Sequence, residues 1–411
     1  MPVRRWSKRS KRRSSAQSLV TPQDDGVHVY LFWSPNKERY LSHTAAERVT
    51  AEELCISAAE AVGITPLFHV LFALYDPMSC CWYSPNHVFH PNEGSCLILH
   101  FRMRFYFRNW HAFNDKEPDV ARFTVKSETH ADDDGQPVLE IKSVEYLFAQ
   151  AKYDFVNELF PMEKLNSEEE LSLFKNESLG MAMLHLMHLA LQTGSTLQRV
   201  AKKTSFINCI PKSYAKHISE DKVLTKMRLR WMFERSMRTY QNNMEAKKPD
   251  VKEIICKYIY ALECLAPRFG SETFAVRHLR LGGDDEHTSP DASRDGGAET
   301  VHELMVSANT GLQWREMMEK PQHNKNNQWT PFCDFPGIIH IAISEANVCI
   351  STQDNKCMEV EMSSSQEARS FISLLDGYYR LTVDAHHYLC HEVAPPRVLL
   401  SQANGLHGPI Q

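Results

Sequence analysis

Between Leu97 and Phe105 the side chains alternate with a period of two. Leu97, Leu99, Phe101, Met103 and Phe105 are interleaved with Ile98, His100, Arg102 and Arg104, the pattern of a strand with one face buried. Shorter apolar runs at 28–32 and 67–74 read as further strands. Between them stands a helix that opens on Thr50-Ala-Glu-Glu53, a capping box. It presents Leu54, Ala58, Ala61 and Val62 on one face and stops at Gly63. Strand, strand, helix, strand and strand within about 80 residues suit a small sheet with one helix packed across it. From 143 to 266 the period changes to that of helices. Residues 146–159 and 168–191 read as helical, with Pro161 breaking between them. Leu229, Met232, Phe233, Met237 and Tyr240 share one predicted helix face, as do Val251, Ile254, Ile255, Tyr258, Ile259 and Leu262. After Gly270 short strands return at 273–281, 301–308, 311–315, 338–343, 347–351 and 358–361. A final helix starts at a second capping box, Ser364-Ser-Ser-Glu367, and lays Phe371, Leu374, Leu375 and Tyr378 on one side. Such strands closed by one helix predict a small barrel or sandwich. Turn-rich stretches at 132–136, 282–297 and 321–327 read as surface loops.

Composition sharpens this picture. The chain has 411 residues, long enough for two to four lobes, and 43% of it is hydrophobic. The net charge is −5, but residues 1–25 hold seven basic side chains against Asp24 and Asp25, a net of +5. The remaining residues therefore carry −10, which argues against a nucleic-acid-binding body. Eleven cysteines without a C-x-x-C pair do not make a disulfide framework, and no apolar core follows the basic start as a secretory signal requires. The longest stretch without Asp, Glu, Lys or Arg, 178–198, contains His185, His188, Gln192 and Thr193 and reads as a helix inside a bundle.

The sequence of a β/α lobe, an all-α lobe and a β lobe with a C-terminal helix resembles the FERM module. Several motifs narrow the resemblance to the Janus kinases, cytokine-receptor-associated tyrosine kinases: Phe101-Arg-Met-Arg-Phe-Tyr-Phe-Arg-Asn-Trp-His111, Glu145-Tyr-Leu-Phe148, Asn176-Glu-Ser-Leu-Gly-Met181, Gln353-Asp-Asn-Lys-Cys357 and Asp376-Gly-Tyr-Tyr-Arg-Leu-Thr382. His387-Tyr-Leu-Cys-His-Glu-Val-Ala-Pro-Pro396 stands where that family passes from FERM to an SH2-like domain. The resemblance implies an α+β, multi-lobed fold. A basic tail at 1–25 precedes a ubiquitin-like lobe at 26–110, a connecting loop at 111–142 and an all-α, acyl-CoA-binding-protein-like lobe at 143–268. A PH-like lobe at 269–385 and a linker at 386–411, toward an SH2-like domain absent from this chain, complete it.

Catalytic chemistry finds no foothold in the sequence. There is no G-x-G-x-x-G loop, H-R-D loop, D-F-G or phosphate loop, so phosphoryl transfer by this chain is not expected, whatever the parent family does. No catalytic, cofactor or metal residue is assigned and no cofactor is expected. His386, His387, Cys390 and His391 form the most metal-like cluster, with His387 and His391 on one face if helical, but packing is the expected role. The same holds for His185 and His188. Cys80 and Cys81 are expected in a buried strand and turn, with no basic neighbour to activate a thiol.

Binding is the expected function. Lys222, Lys226, Arg228, Arg230, Arg235 and Arg238 surround the outer side of one predicted helix. By the resemblance, that lobe would dock the membrane-proximal box-one region of cytokine or interferon receptors in JAK-STAT signalling. Arg4, Arg5, Lys8, Arg9, Lys11, Arg12 and Arg13 are candidates for contact with anionic membrane or an importin. Expected partners are receptor tails, the parent's own SH2-like and kinase domains and a peripheral membrane surface, with no nucleic acid. The expected location is cytoplasmic, at the inner face of plasma or endosomal membranes, with a nuclear one left open. The alternative is a cytoskeletal FERM adaptor linking membrane proteins to actin.

Overall fold

A computed structural model describes residues 22, 25–43, 48–90, 96–117, 139–160, 167–220, 223–246, 250–282, 301–317 and 328–395. The first lobe opens with β1 (Gly26–Tyr30), β2 (Tyr40–His43) and β3 (Val49–Thr50), which runs into α1 (Ala51–Val62). The predicted capping box is present: Glu53 N donates to Thr50 Oγ1 at 3.2 Å and Thr50 N to Glu53 Oε2 at 2.8 Å. Gly63 ends the helix at φ +78°, where an L side chain would be strained. Then follow β4 (Phe72–Asp76), β5 (Cys81–Trp82), β6 (Val88–Phe89) and β7 (Cys96–Met103). The main sheet has the order β2-β1-β7-β4-β5, with β1 parallel to β7 and the other pairs antiparallel. The strand expected from 67 begins only at Phe72, because 69–71 coil into a 3-10 turn.

The second lobe is helical throughout: α2 (Ile141–Asn157), α3 (Glu168–Gln192), α4 (Leu197–Lys203), α5 (Lys212–Glu220), α6 (Val223–Ala246) and α7 (Val251–Leu265). Helix α2 starts at Ile141, inside the stretch expected as connecting loop, because the polar Lys142 and Ser143 hide the apolar period there. Ser167 and Glu170 form a capping box that opens α3.

In the third lobe, β8 (Glu272–Val276) and β9 (His278–Gly282) correct the single strand expected at 273–281. The chain turns at Arg277 and changes sheet. With β10 (Val301–Ser307), β11 (Gly311–Met317) and β12 (Thr330–Cys333), β8 forms an antiparallel sheet of order β12-β11-β10-β8. With β13 (Ile338–Ser344), β14 (Asn347–Thr352) and β15 (Cys357–Glu361), β9 forms a second, β13-β14-β15-β9. Leu304, Val306 and Leu312 from one sheet, Ile350, Met358 and Val360 from the other, and Phe371, Leu374 and Leu375 from α8 (Ser365–Thr382) join one apolar core. The capping box expected at Ser364 forms by half: Glu367 N donates to Ser364 Oγ at 3.2 Å, but the Glu367 carboxylate turns to the backbone and hydroxyl of Ser363.

The three lobes meet on the end of β7 and the segment after it. Tyr146, Gln150 and Asp154, spaced i, i+4, i+8 on α2, each grip it. Tyr146 Oη donates to Phe101 O at 2.8 Å, Met103 N donates to Gln150 Oε1 at 2.8 Å, and Asp154 pairs with Arg102. One step on, the Arg104 side chain is 1% exposed. Its guanidinium donates to Glu272 of β8 at 2.8 and 3.0 Å, to Ser373 Oγ at 2.8 Å and to the Ser370 carbonyl of α8 at 2.8 Å. Tyr106 Oη, Asn109 N and His111 Nε2 surround the buried carboxylate of Glu263 on α7. Phe105 lies so close to Gly377 that a Cβ there would meet its ring at 2.1 Å, and Gly270 stands equally close to Tyr106.

Removing one member of such a cluster strands its partners in a site closed to water. Arg104→Met should therefore destabilise the chain by about 3–5 kcal/mol. The Arg104→Met, Glu272→Gln double variant should lose less than the two single losses added. Thermal melts of the four proteins check this, and strict additivity would refute it.

Candidate docking site

Helix α6 carries the predicted basic face. Phe233, 5% exposed, stacks on Phe206 at 4.6 Å, and Met237 is buried beside it. Leu229 is partly buried against the same cluster. Met232, expected on the inner face, is instead 48% exposed. It sits one residue from Phe233, about 100° round the helix, and α6 packs by a stripe too narrow to cover both. Trp231 at 58% and Met227 at 64% are open as well. The guanidinium of Arg235 lies 5.5 Å from the Trp231 ring centroid. Arg230 Nε is 3.0 Å from Glu234 Oε1, so part of its charge is answered within the helix, at a solvated site where such a pair adds little.

Of the six candidates, Arg230, Arg235 and Arg238 are exposed on α6. Lys226 and Arg228 stand on the same helix, with side chains outside the described ones, and Lys222 lies outside the described residues altogether. The seven basic residues from Arg4 to Arg13 also lie outside them. The sequence did not single out Trp231, Met227 and Met232 as an apolar strip interleaved with the arginines. Three large apolar residues within six positions were there to be seen, but a helical wheel alone assigns Met232 to the core.

Three family models match the chain in this order. They are the FERM F1 ubiquitin-like domain over 27–123, the FERM F2 acyl-CoA binding protein-like domain over 136–265 and the Jak1 pleckstrin homology-like domain over 316–387. Tyrosine-protein kinase JAK1 of Danio rerio is 34% identical over 97% of this chain and 37% of its own length. The chain is a Janus kinase FERM region. Tyrosine-protein kinase JAK3 of Rattus norvegicus is 30% identical over 96% of this chain and 33% of its own length, so this FERM region spans about a third of either relative. Among solved structures, the FERM and C-terminal domain complex of Drosophila Merlin superposes with a TM-score of 0.54 at 12% identity, covering 88% of this chain and 97% of that one. That likeness shows the fold alone.

The metal-like cluster of this FERM region does not assemble as the helical reading would have it. Residues 386–390 are not helical and a 3-10 turn covers His391–Val393. Cys390 is buried with its Sγ 2.9 Å from Glu392 Oε2, while His386, His387 and His391 are exposed. His188 is buried against Phe148, with ring centroids 4.4 Å apart, but His185 Nδ1 has no partner among the described residues. Burial first, then the nearby Lys152 ammonium, pushes His185 down to about 3 and His188 to about 4, so both are neutral at pH 7. Cys80, expected to be buried, sits exposed in a left-handed turn at φ +56°, and Cys81 is half-buried. Among the described residues no helix is long and apolar enough to cross a membrane.

A cavity of about 460 Å³ opens between α1, α8 and the segment after α8, lined by Glu52, Val70, Phe105, Asp376, Leu381 and Val393 among others. Burial pushes the Asp376 carboxyl up to about 6, against the restraint of the Leu389 amide, the Arg380 charge and the Cys390 amide. A raised acid binds its proton more tightly folded than unfolded. Its stabilising contribution is complete below its ordinary value and is lost as pH rises through about 6. Asn at 376 keeps an oxygen for the Leu389 N–H, which donates to Oδ1 at 2.7 Å. Asp376→Asn should therefore gain on the parent progressively from pH 4 to 7, by up to about 3 kcal/mol. Denaturation midpoints of both proteins across that range check it; a constant difference would refute it.

Proposed function

We propose that this FERM region is the receptor-docking part of a Janus-type non-receptor tyrosine kinase. Its helical lobe would take the membrane-proximal box-one segment of cytokine or interferon receptors and so place the parent enzyme in JAK-STAT signalling. The observation that carries this reading is the strip on α6, where exposed Met227, Trp231 and Met232 lie among exposed arginines. Aromatic and Arg side chains are the types that anchor protein interfaces, and a basic rim steers an acidic partner. Ala201-Lys-Lys-Thr-Ser-Phe206, Leu265-Ala-Pro-Arg-Phe-Gly270 and Met1-Pro-Val-Arg-Arg-Trp6 favour the tyrosine kinase two branch of the family. The proposed domain bounds are those given above except that the helical lobe begins at Ile141 with α2, the proposed setting is peripheral to membranes through receptors, and the basic tail is assigned to membrane or importin contact. The actin-adaptor alternative has no particular observation in its favour.

A box-one peptide should bind with a dissociation constant near micromolar, about 8 kcal/mol, which a few apolar anchors and partly screened charges can supply. Reversing Arg228, Arg235 and Arg238 to Glu should slow association about tenfold and flatten its salt dependence, with less effect on dissociation. Trp231→Ala should act mainly on dissociation. Phe233→Ala should loosen the lobe itself, by about 3–5 kcal/mol. Stopped-flow binding at several salt concentrations separates these effects; an unchanged affinity and salt slope in the triple variant would sink the α6 assignment.

Phosphate transfer is assigned to the parent and not to this region, since the sequence lacks a glycine-rich loop, a catalytic-loop base and a magnesium-binding D-F-G. Purified chain incubated with radiolabelled ATP and tyrosine peptides should incorporate no label above a heat-killed control. Turnover by protein free of other kinases would overturn this.

A further inference from the structure

The two cysteines of β14 and β15 that share the sheet's outer face come together with a carboxylate. In the register of these strands Cys349 stands opposite Glu359, and Cys357 stands opposite Ser351, which makes Cys349 and Cys357 diagonal neighbours. Inner positions Val348, Ile350, Met358 and Val360 are buried, whereas Cys349 and Cys357 are half-buried and Glu359 is exposed. The Sγ atoms are 3.2 Å apart, and both lie with a Glu359 carboxylate oxygen inside a sphere of donors no more than 4.8 Å from one another.

We propose that Cys349, Cys357 and Glu359 form a binding site for a soft divalent d10 cation, with Zn²⁺ as the first candidate. Two thiolates and one carboxylate are a donor set that Zn²⁺ accepts, and the open face leaves a fourth tetrahedral position to water. Zinc–sulfur bonds of about 2.3 Å at a tetrahedral angle put the sulfurs about 3.8 Å apart. The pair must therefore open by roughly half an ångström, which small side-chain rotations on a solvated face allow. Among the described residues, Glu359 is held elsewhere by a loose 3.6 Å contact of Arg280 Nη1 to its Oε2, with both side chains largely exposed. Binding exchanges two thiol protons, released to solvent, for the metal's charge. A disulfide is the competing fate, but it needs the sulfurs to close to about 2.05 Å and an oxidant such as glutathione disulfide.

The test is competition of the reduced, metal-stripped full chain against a chromophoric chelator for Zn²⁺, with Cd²⁺ as an optical probe. One Zn²⁺ per chain should bind at this site with release of protons, and Cd²⁺ should give a sulfur-to-metal charge-transfer band. Cys349→Ser and Cys357→Ser should each weaken the site about 100-fold and abolish the band. Glu359→Gln, at an exposed position that does not threaten folding, should weaken it about tenfold. Zinc uptake unchanged in both serine variants would mean adventitious binding at the chain's histidines and would overturn the proposal. So would a protein that forms the 349–357 disulfide under glutathione disulfide yet gives no charge-transfer band when reduced.

Discussion

The relative placement of the lobes depends on a guanidinium with nowhere to go but its partners. Arg104 follows the last residue of β7 and is closed off from water, while Glu272, Ser370 and Ser373, which receive its hydrogen bonds, belong to the third lobe. A buried cation without acceptors costs several kcal/mol, so an arrangement that pulls the first lobe away from β8 or α8 is penalised steeply. Burial of apolar area does not discriminate in this way, because a sliding apolar contact changes little in energy. Two residues earlier Arg102 makes the equivalent tie to α2 through Asp154, and two later Tyr106 ties to α7 through Glu263. One extended segment thus carries a polar peg for each neighbour, and close approach at Gly377 and Gly270 leaves it no slack.

Local signals in the sequence are legible where they are strong. The alternation at 97–105, the capping box at Thr50 and the stop at Gly63 all specify their own elements, because each depends only on residues within a turn or a strand. Features that arise when distant segments meet were hidden. The change of sheet at Arg277 looks like uninterrupted strand, since Thr273 to Leu281 has strand propensity throughout; only pairing of β8 with β10 and of β9 with β15 divides it. The early start of α2 was masked by Lys142 and Ser143, although its i, i+4, i+8 row of Tyr146, Gln150 and Asp154 is set by what β7 offers. The pairing of Cys349 with Cys357 follows from a register that no spacing rule between two isolated cysteines reveals.

The proposed docking face is legible in part. Charge picks out its arginines and period picks out Phe233 and Met237, but a helical wheel puts Met232 on the wrong side of the boundary. A helix wheel assumes that the apolar stripe is as wide as the cover over it. Here the cover is the small cluster around Phe206 and Val200, which leaves Trp231 and Met232 to solvent. On the proposed reading, the apolar strip left open beside the exposed Arg230, Arg235 and Arg238 is what would distinguish this helix from a merely solvated one.

Arginine accordingly does two opposite things in this fold, and the difference is set by dielectric surroundings. At the seam, low polarity strengthens a charge–charge attraction severalfold over its value in water, and desolvation makes any unpaired state expensive, so Arg102 and Arg104 fix geometry. On α6, Arg235 and Arg238 sit in water, where a local partner contributes about 1 kcal/mol or less and salt screens beyond about 10 Å. Such charges cannot hold a fold together, but they can bias the approach of another molecule before any contact is made. Positioning therefore rests on the buried pair, and the proposed recruitment would rest on the exposed ones. The seam clamps α2 to β7 and α7 to the segment that follows it, and so fixes the helical lobe against the first lobe.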